Sequence, residues 1–128
     1  MLAADSSYFV ALVDEDDKWH EDAVRLKSKL PRSFLVSDLI VAESVTIVGE
    51  RGGGKTAHTL YEYFIDECDV AYADEGLLKE AMAVHLQFDG SLSVADCVSV
   101  AMMNRSGIRE IVSFDSDFDK VRGMKRIH

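Results

Sequence analysis

Ser37-Asp38-Leu39-Ile40-Val41-Ala42-Glu43-Ser44-Val45-Thr46-Ile47-Val48-Gly49-Glu50-Arg51-Gly52-Gly53-Gly54-Lys55-Thr56 supports two incompatible architectures. Its second half, Gly49–Thr56, satisfies the G-x-x-x-x-G-K-[ST] pattern of a phosphate-binding loop. In such a loop glycines let backbone N–H groups wrap phosphates while the lysine neutralises charge. The loop must follow a buried strand, and the β-branched run Ser44–Val48 invites that assignment. Three points count against it. Asp38–Val48 reads as one unbroken helix, and only 72 of the 128 residues follow Thr56. No wholly apolar strand ends in a second metal-binding aspartate, Ile111-Val112-Ser113-Phe114-Asp115 being the nearest. The helical reading wins, with the glycines as a helix-to-helix loop whose Arg51 and Lys55 could touch a polyanion.

On either side of this segment, short apolar runs alternate with longer helical ones. Strands are expected at Leu2–Ala4, Phe34–Val36, Asp69–Tyr72, Glu110–Phe114 and Lys125–Ile127. Helices are expected at Ser7–Val13, Lys18–Leu30, Asp38–Val48 and Thr56–Asp66, from Asp74 to Gln87, and from Ser93 to Asn104, with a short one over Asp115–Val121. Pro31 stops the second helix, and Trp19, Ala23, Val24, Leu26 and Leu30 fall near helical spacing on it. Strands separated by helices imply an α/β fold: a three-layer α/β/α sandwich around a mainly parallel sheet of about five strands. Residues 1–128 read as a single domain with no repeat or linker.

Binding sites of such sheets form beyond the carboxyl ends of the strands. Asp5 ends the first apolar run and Asp115 follows the fourth, with Asp117 and Asp119 close behind. Glu43 and Asp96 lie on helices that could overhang the same end. Like charges in a low-dielectric cleft repel, so convergence of these acids calls for a hard divalent cation that prefers carboxylate oxygens. Each acid also has a purely structural alternative. Asp5 and Asp115 could cap helices, Ser93-x-x-Asp96 has capping-box spacing, and Glu43 could be buried beside Val41 and Val45 with a partner. Asp119 reads as a solvated helix residue.

Composition narrows the classes. The net charge of -9 disfavours broad, non-specific nucleic-acid binding, although metal-binding acids contribute to it. Cys68 and Cys97 are isolated and read as reduced thiols; no apolar run approaches a membrane span and no signal peptide is evident, so a soluble cytoplasmic protein is expected. His20, His58, His85 and His128 have no ligand spacing. Tyr61, Tyr63, Phe64 and Tyr72 read as core or dimer packing. Arg51, Lys55, Arg105, Lys120, Arg122, Lys125 and Arg126 are the available phosphate contacts, with solvation as their ordinary fate.

Taken in order, Asp5-Ser6-Ser7, Ser37–Glu43, Ser93-Val94-Ala95-Asp96-Cys97 and Ser113-Phe114-Asp115-Ser116-Asp117-Phe118 resemble the PIN-domain family, especially its VapC-type ribonuclease toxins. The resemblance spans essentially the whole chain. It departs from the family pattern in a short first strand, in an end directly after the last strand, and in the Gly52–Gly54 loop. It implies Mg²⁺- or Mn²⁺-dependent endoribonuclease activity, with Asp5, Glu43, Asp96 and Asp115 as catalytic metal ligands and Asp117 as an auxiliary ligand. It further implies an RNA substrate, an antitoxin protein partner and a homodimer, whose contact surface is expected near Tyr8, Phe9 and Trp19. The implied chemistry is hydrolysis of an RNA phosphodiester by water activated at one or two such cations. Ser93 and Ser113 are candidates to orient the neighbouring carboxylates, and Ser6 to touch water or substrate. The alternatives are a nucleotide-binding switch using Gly49–Thr56 and a non-catalytic PIN-like interaction module.

Overall fold

A computed structural model describes residues 1–128. Five strands, β1 (Ala3–Ala4), β2 (Leu35–Ser37), β3 (Asp69–Ala71), β4 (Glu110–Val112) and β5 (Lys125–Ile127), form one sheet in the order β3-β2-β1-β4-β5. Every pairing is parallel. Successive strand residues point to opposite faces, so Ala4, Val36 and Val112 enter one core and Ala3, Leu35 and Ile111 the other. The first core is covered by α1 (Ser6–Val13), α2 (His20–Lys27), α3 (Asp38–Gly52) and α4 (Gly54–Glu67), which supply Tyr8, Phe9, Ala23, Ile40 and Phe64. The second is covered by α5 (Glu75–Gln87) and α6 (Val94–Ser106), through Leu77, Ala81, Val98 and Met103. This is the expected three-layer sandwich.

The connection from β1 goes to β2 on one side, whereas the chain later returns from α6 to β4 on the other side of β1. The strand order therefore reverses at β1, the position where open α/β sheets leave a crevice at their carboxyl ends.

The phosphate-loop reading fails on the backbone. No strand leads directly into Gly49; α3 runs unbroken from Asp38 through Gly52, and α4 begins at Gly54. The Gly53 N–H donates to the Gly49 carbonyl at 2.9 Å and the Ala57 N–H to the Gly53 carbonyl at 3.2 Å. The Gly53 amide is thus spent on closing α3, and no strand delivers the motif to the edge of the sheet. The expected loop shrinks to one residue, Gly53, whose φ of 89° only glycine adopts without strain. Gly49 allows close packing of the pair, since a Cβ there would meet the Ala57 Cβ at 3.4 Å.

Other boundaries shift modestly. α2 starts at His20 rather than Lys18, leaving Trp19 in the preceding loop, and its buried residues are Ala23 and Leu26 while Val24 is exposed. β4 ends at Val112, two residues short of Phe114, and Ser116–Lys120 forms a 3-10 turn rather than an α-helix. Tyr8 and Phe9 are core residues packed edge-on with Phe34 and Phe64, so they offer no dimer surface. Trp19 is exposed, as are Tyr61, Ile65 and Tyr72 and the i, i+4, i+8 stripe Leu78, Met82, Leu86 on α5. Cys68 and Cys97 are free thiols, and no helix is long and apolar enough to cross a membrane.

Candidate active site

Asp5, Glu43, Asp96, Asp115 and Asp117 line a single open cleft of about 410 Å³, together with Ser6, Ser7, Trp19, Arg51 and Ser93. Asp5 leaves the end of β1 and caps α1, its carboxylate accepting the Ser7 N–H at 3.4 Å. Glu43 projects from the second turn of α3, which Ser37 caps by accepting the Ile40 N–H at 3.2 Å. Asp96 lies in the first turn of α6, where Ser93 Oγ accepts its N–H at 3.0 Å. Its own carboxylate makes no return bond to Ser93 N–H, so the capping box is half made and the carboxylate faces the cleft. Asp115 caps the 3-10 turn by accepting the Asp117 N–H at 2.9 Å. Capping and convergence coexist at Asp5 and Asp115.

Burial differs among the acids. Asp5 and Asp96 are buried, at 3% and 7% exposure, Asp115 and Asp117 are half-buried, and Glu43 is exposed at the rim. The alternative of a Glu43 buried beside Val41 and Val45 does not hold: Ser44, its neighbour on α3, turns into the core in its place. Within the cleft, Asp96, Asp115 and Asp117 offer oxygens that all lie within 4.8 Å of one another. Asp5 and Glu43 line the same cleft outside this triplet.

The electrostatics register the crowding. Burial raises the carboxyl of Asp5, against opposing hydrogen bonds from Ser7 and Ser113. Burial and the charge of Asp5 raise Glu43, with a smaller push from Asp115 and an offsetting bond from Ser6. Asp96 is pushed up to about 7 by burial and by the charges of Asp5, Asp115 and Glu43. The carboxylates feel one another, as groups sharing a site must.

A hydroxyl pair holds the floor. Ser7 Oγ donates to Asp5 Oδ2 at 2.8 Å and accepts the Phe114 N–H at 2.9 Å. Ser113 Oγ donates to the same oxygen at 3.0 Å and accepts the Asp115 N–H at 3.0 Å. Sequence reasoning named Ser113 for this role and missed Ser7, although Asp5-Ser6-Ser7 spacing is that of an Asx turn, which the Ser7 N–H closes. Ser93 Oγ accepts the Asp96 N–H and also faces the Asp96 carboxyl, opposing its rise. The histidines stay structural, the rings of His20 and His85 resting on the Ala11 and Leu92 carbonyls at 2.7 Å each.

The expected phosphate-binding cations are mostly engaged elsewhere. Arg51 bonds Asp14 and Asp17 at 2.9 and 3.0 Å, Arg105 pairs with Glu80, Lys120 with Asp117, Lys125 with Glu110 and Arg126 with Asp119. Lys55 lines a second, more apolar groove of about 670 Å³ between α1, α2 and α4, with Lys27, Arg32, Leu12, Leu30 and Leu60.

A parallel sheet between two helical layers, with acids clustered beyond its carboxyl edge, presents an oxygen-rich donor set at the crevice of the fold. The chain belongs to the PIN domain family, whose model matches residues 3–124. It is similar to the 23S rRNA-specific endonuclease VapC20 of Mycobacterium tuberculosis, at 27% identity over 120 residues and 92% of each chain. The crystal structure of VapC20, a sarcin-ricin loop cleaving toxin, superposes with a TM-score of 0.86 at 24% identity over 94% of each chain. A toxin–antitoxin complex from Klebsiella pneumoniae shares the fold, with a TM-score of 0.74 at 11% identity over 100% of this chain and 97% of that one.

Proposed function

We propose that this protein is a divalent-metal-dependent endoribonuclease, the toxin half of a toxin–antitoxin pair. The observation that carries the reading is the meeting of Asp96, Asp115 and Asp117 oxygens within 4.8 Å, beside Asp5 and Glu43, in one cleft. Five carboxylates with one already paired arginine make a hard, anionic donor set that suits Mg²⁺ or Mn²⁺ and suits neither a thiol-seeking nor an imidazole-seeking metal. Asp96, Asp115 and Asp117 would hold such an ion, with Asp5 and Glu43 beside it. When bound, it supplies Lewis acidity to a phosphodiester and to the attacking water.

The chain's own residues do the rest. Ser7 and Ser113 fix the Asp5 carboxylate from below, so that it meets a ligand in one orientation. Glu43, exposed at the rim with its carboxyl raised, is the acid best placed to exchange a proton with solvent. The open cleft admits a single strand or a splayed loop more readily than the edges of a duplex. Similarity to VapC20 supports an RNA target for this chain.

The toxin–antitoxin complex whose fold the chain shares supports an antitoxin partner. The apolar groove bordered by Lys27, Arg32 and Lys55 is the surface whose chemistry suits an acidic amphipathic segment of such a protein. A homodimer, if formed, would use the exposed Tyr61, Ile65 and Tyr72 or the α5 stripe rather than the buried Tyr8 and Phe9.

The test is cleavage of labelled RNA by the purified protein in Mg²⁺, Mn²⁺ or EDTA, beside Asp96→Asn. Metal-dependent cleavage that the variant loses, with circular dichroism unchanged, is expected. Cleavage that survives Asp96→Asn or EDTA overturns the assignment.

A further inference from the structure

The cleft has almost no free positive charge with which to hold a polyanion. Arg51, the one cation lining it, is committed to Asp14 and Asp17. Nearby Lys120 is committed to Asp117, and Arg126 to Asp119 and the Ser113 carbonyl. An RNA strand drawn to this site needs a contact that does not depend on phosphate charge.

The cleft contains one such surface. Trp19 lines it and keeps 38% of its area exposed. Its ring stacks on Phe114 with centroids 5.3 Å apart and planes 4° from parallel. Phe114 directly precedes Asp115, so the aromatic pair is tied by backbone to the acidic cluster. The loop carrying Trp19 is held from several sides. Its N–H donates to Asp17 Oδ1 at 2.9 Å, Arg51 on α3 bonds Asp17 Oδ2, and the next residue's ring, His20, sits on the Ala11 carbonyl. A tryptophan serving only as core packing would turn inward; this one is braced at the rim. Exposed Lys18 places its Nζ 5.2 Å from the ring centroid, a contact worth little at a wet surface and readily exchanged.

We propose that Trp19, backed by Phe114, is the stacking platform for one unpaired nucleobase of the RNA beside the cleaved bond, with Lys18 moving from the ring to the adjoining phosphate. Stacking suits an acidic protein because every base has a π-face and the attraction survives salt. The proposal rests on the reading of the cleft as a ribonuclease site, and its test separates the two.

Trp19 is the sole tryptophan of the chain, so its emission reports on the platform alone. Wild-type protein in EDTA is titrated with a single-stranded oligoribonucleotide of mixed sequence, and with its abasic counterpart. Saturable quenching by the first and not the second is expected. In cleavage assays Trp19→Ala should raise KM by about 5- to 150-fold with kcat little changed, and Trp19→Phe should recover most of the loss. Metal-dependent cleavage without quenching, or an unchanged KM in Trp19→Ala, overturns the platform and leaves the nuclease standing. Quenching by RNA in a protein that cleaves nothing keeps the platform and overturns the nuclease. The quenching arm uses unmutated protein, so a misfolded variant does not blunt the test.

Discussion

The hydroxyl of Ser113 donates to Asp5 Oδ2 at 3.0 Å while accepting the backbone N–H of Asp115 at the same distance. One buried side chain thereby couples the carboxylate that ends β1 to the backbone that presents the acid after β4. Ser113→Ala strips a donor from Asp5 and leaves the Asp115 N–H without its acceptor. Supporting bonds of this kind typically change metal affinity by about 10- to 100-fold. The Mg²⁺ concentration giving half-maximal cleavage should rise by that order, with most of the maximal rate recovered at excess metal. A stability cost of about 1–3 kcal/mol for the stranded group is expected in urea titrations. An unchanged Mg²⁺ midpoint would mean that Ser7 alone orients Asp5.

The same cluster predicts an unusual pH dependence for the metal-free protein. Asp96 has a folded value of about 7 against an ordinary 3.8, so between these limits the folded chain holds a proton that the unfolded chain has lost. The contribution of Asp96 to stability should be full below about pH 4, fall as pH rises, and be lost above 7, amounting to at most about 4 kcal/mol. Asp5, raised by burial, acts in the same direction. Thermal unfolding in EDTA should show a lower midpoint at pH 8 than at pH 5.5. Asp96→Asn should flatten that slope and raise the midpoint at pH 8, so that loss of activity accompanies gain of stability. A slope identical to wild type would show that Asp96 does not carry the strain.

Gly53 joins two helices with one residue at φ 89°, and a Cβ there would meet nothing within 4 Å. Space is available and conformation is the obstacle. Gly53→Ala should therefore cost about 1–3 kcal/mol, because φ 89° with ψ 166° is a backbone region essentially confined to glycine, whereas Lys55→Ala should leave both stability and RNA cleavage close to wild type. Neither protein should bind nucleotide above background by equilibrium dialysis. Nucleotide binding lost in Lys55→Ala would revive the phosphate loop.

These particular residues show how far the sequence could be read. The strand–helix alternation, the helix over Asp38–Val48, two acids after strand ends and two more on helices were all legible, because hydrophobic period and chain order are local properties. Trp19 was not: its spacing to Ala23 and Leu26 fits a helical face, and only the Asp14 and Asp17 turns, held by Arg51 from 37 and 34 residues away, fix it in the loop instead. Whether Glu43 turns inward among its apolar neighbours was open in the sequence; the phase of α3 sends Ser44 inward and leaves Glu43 at the rim. Helix phase is decided by packing against the sheet, which a periodicity blurred by apolar residues on most sides does not specify.

Arg51 is the long-range element of that arrangement, and its removal makes the last prediction. It sits two turns after Glu43 on α3 and bridges Asp14 and Asp17, the two acids that shape the α1–α2 loop. These contacts lower the Asp14 carboxyl and raise the Arg51 guanidinium. Because the pair lies at the surface, solvent screens it and global stability should scarcely depend on it. Its consequence is positional. Arg51→Met keeps most of the aliphatic stem and deletes the bridge, freeing two carboxylates beside a cleft already rich in them. The thermal midpoint should stay near wild type while the emission of Trp19 shifts to the red and becomes more accessible to acrylamide, as the loop loosens from Phe114. RNA cleavage should fall through KM more than through kcat, and added salt should restore part of it by screening the released Asp14 and Asp17. Unaltered Trp19 emission in Arg51→Met would show that the aspartate turns hold the loop without help from α3.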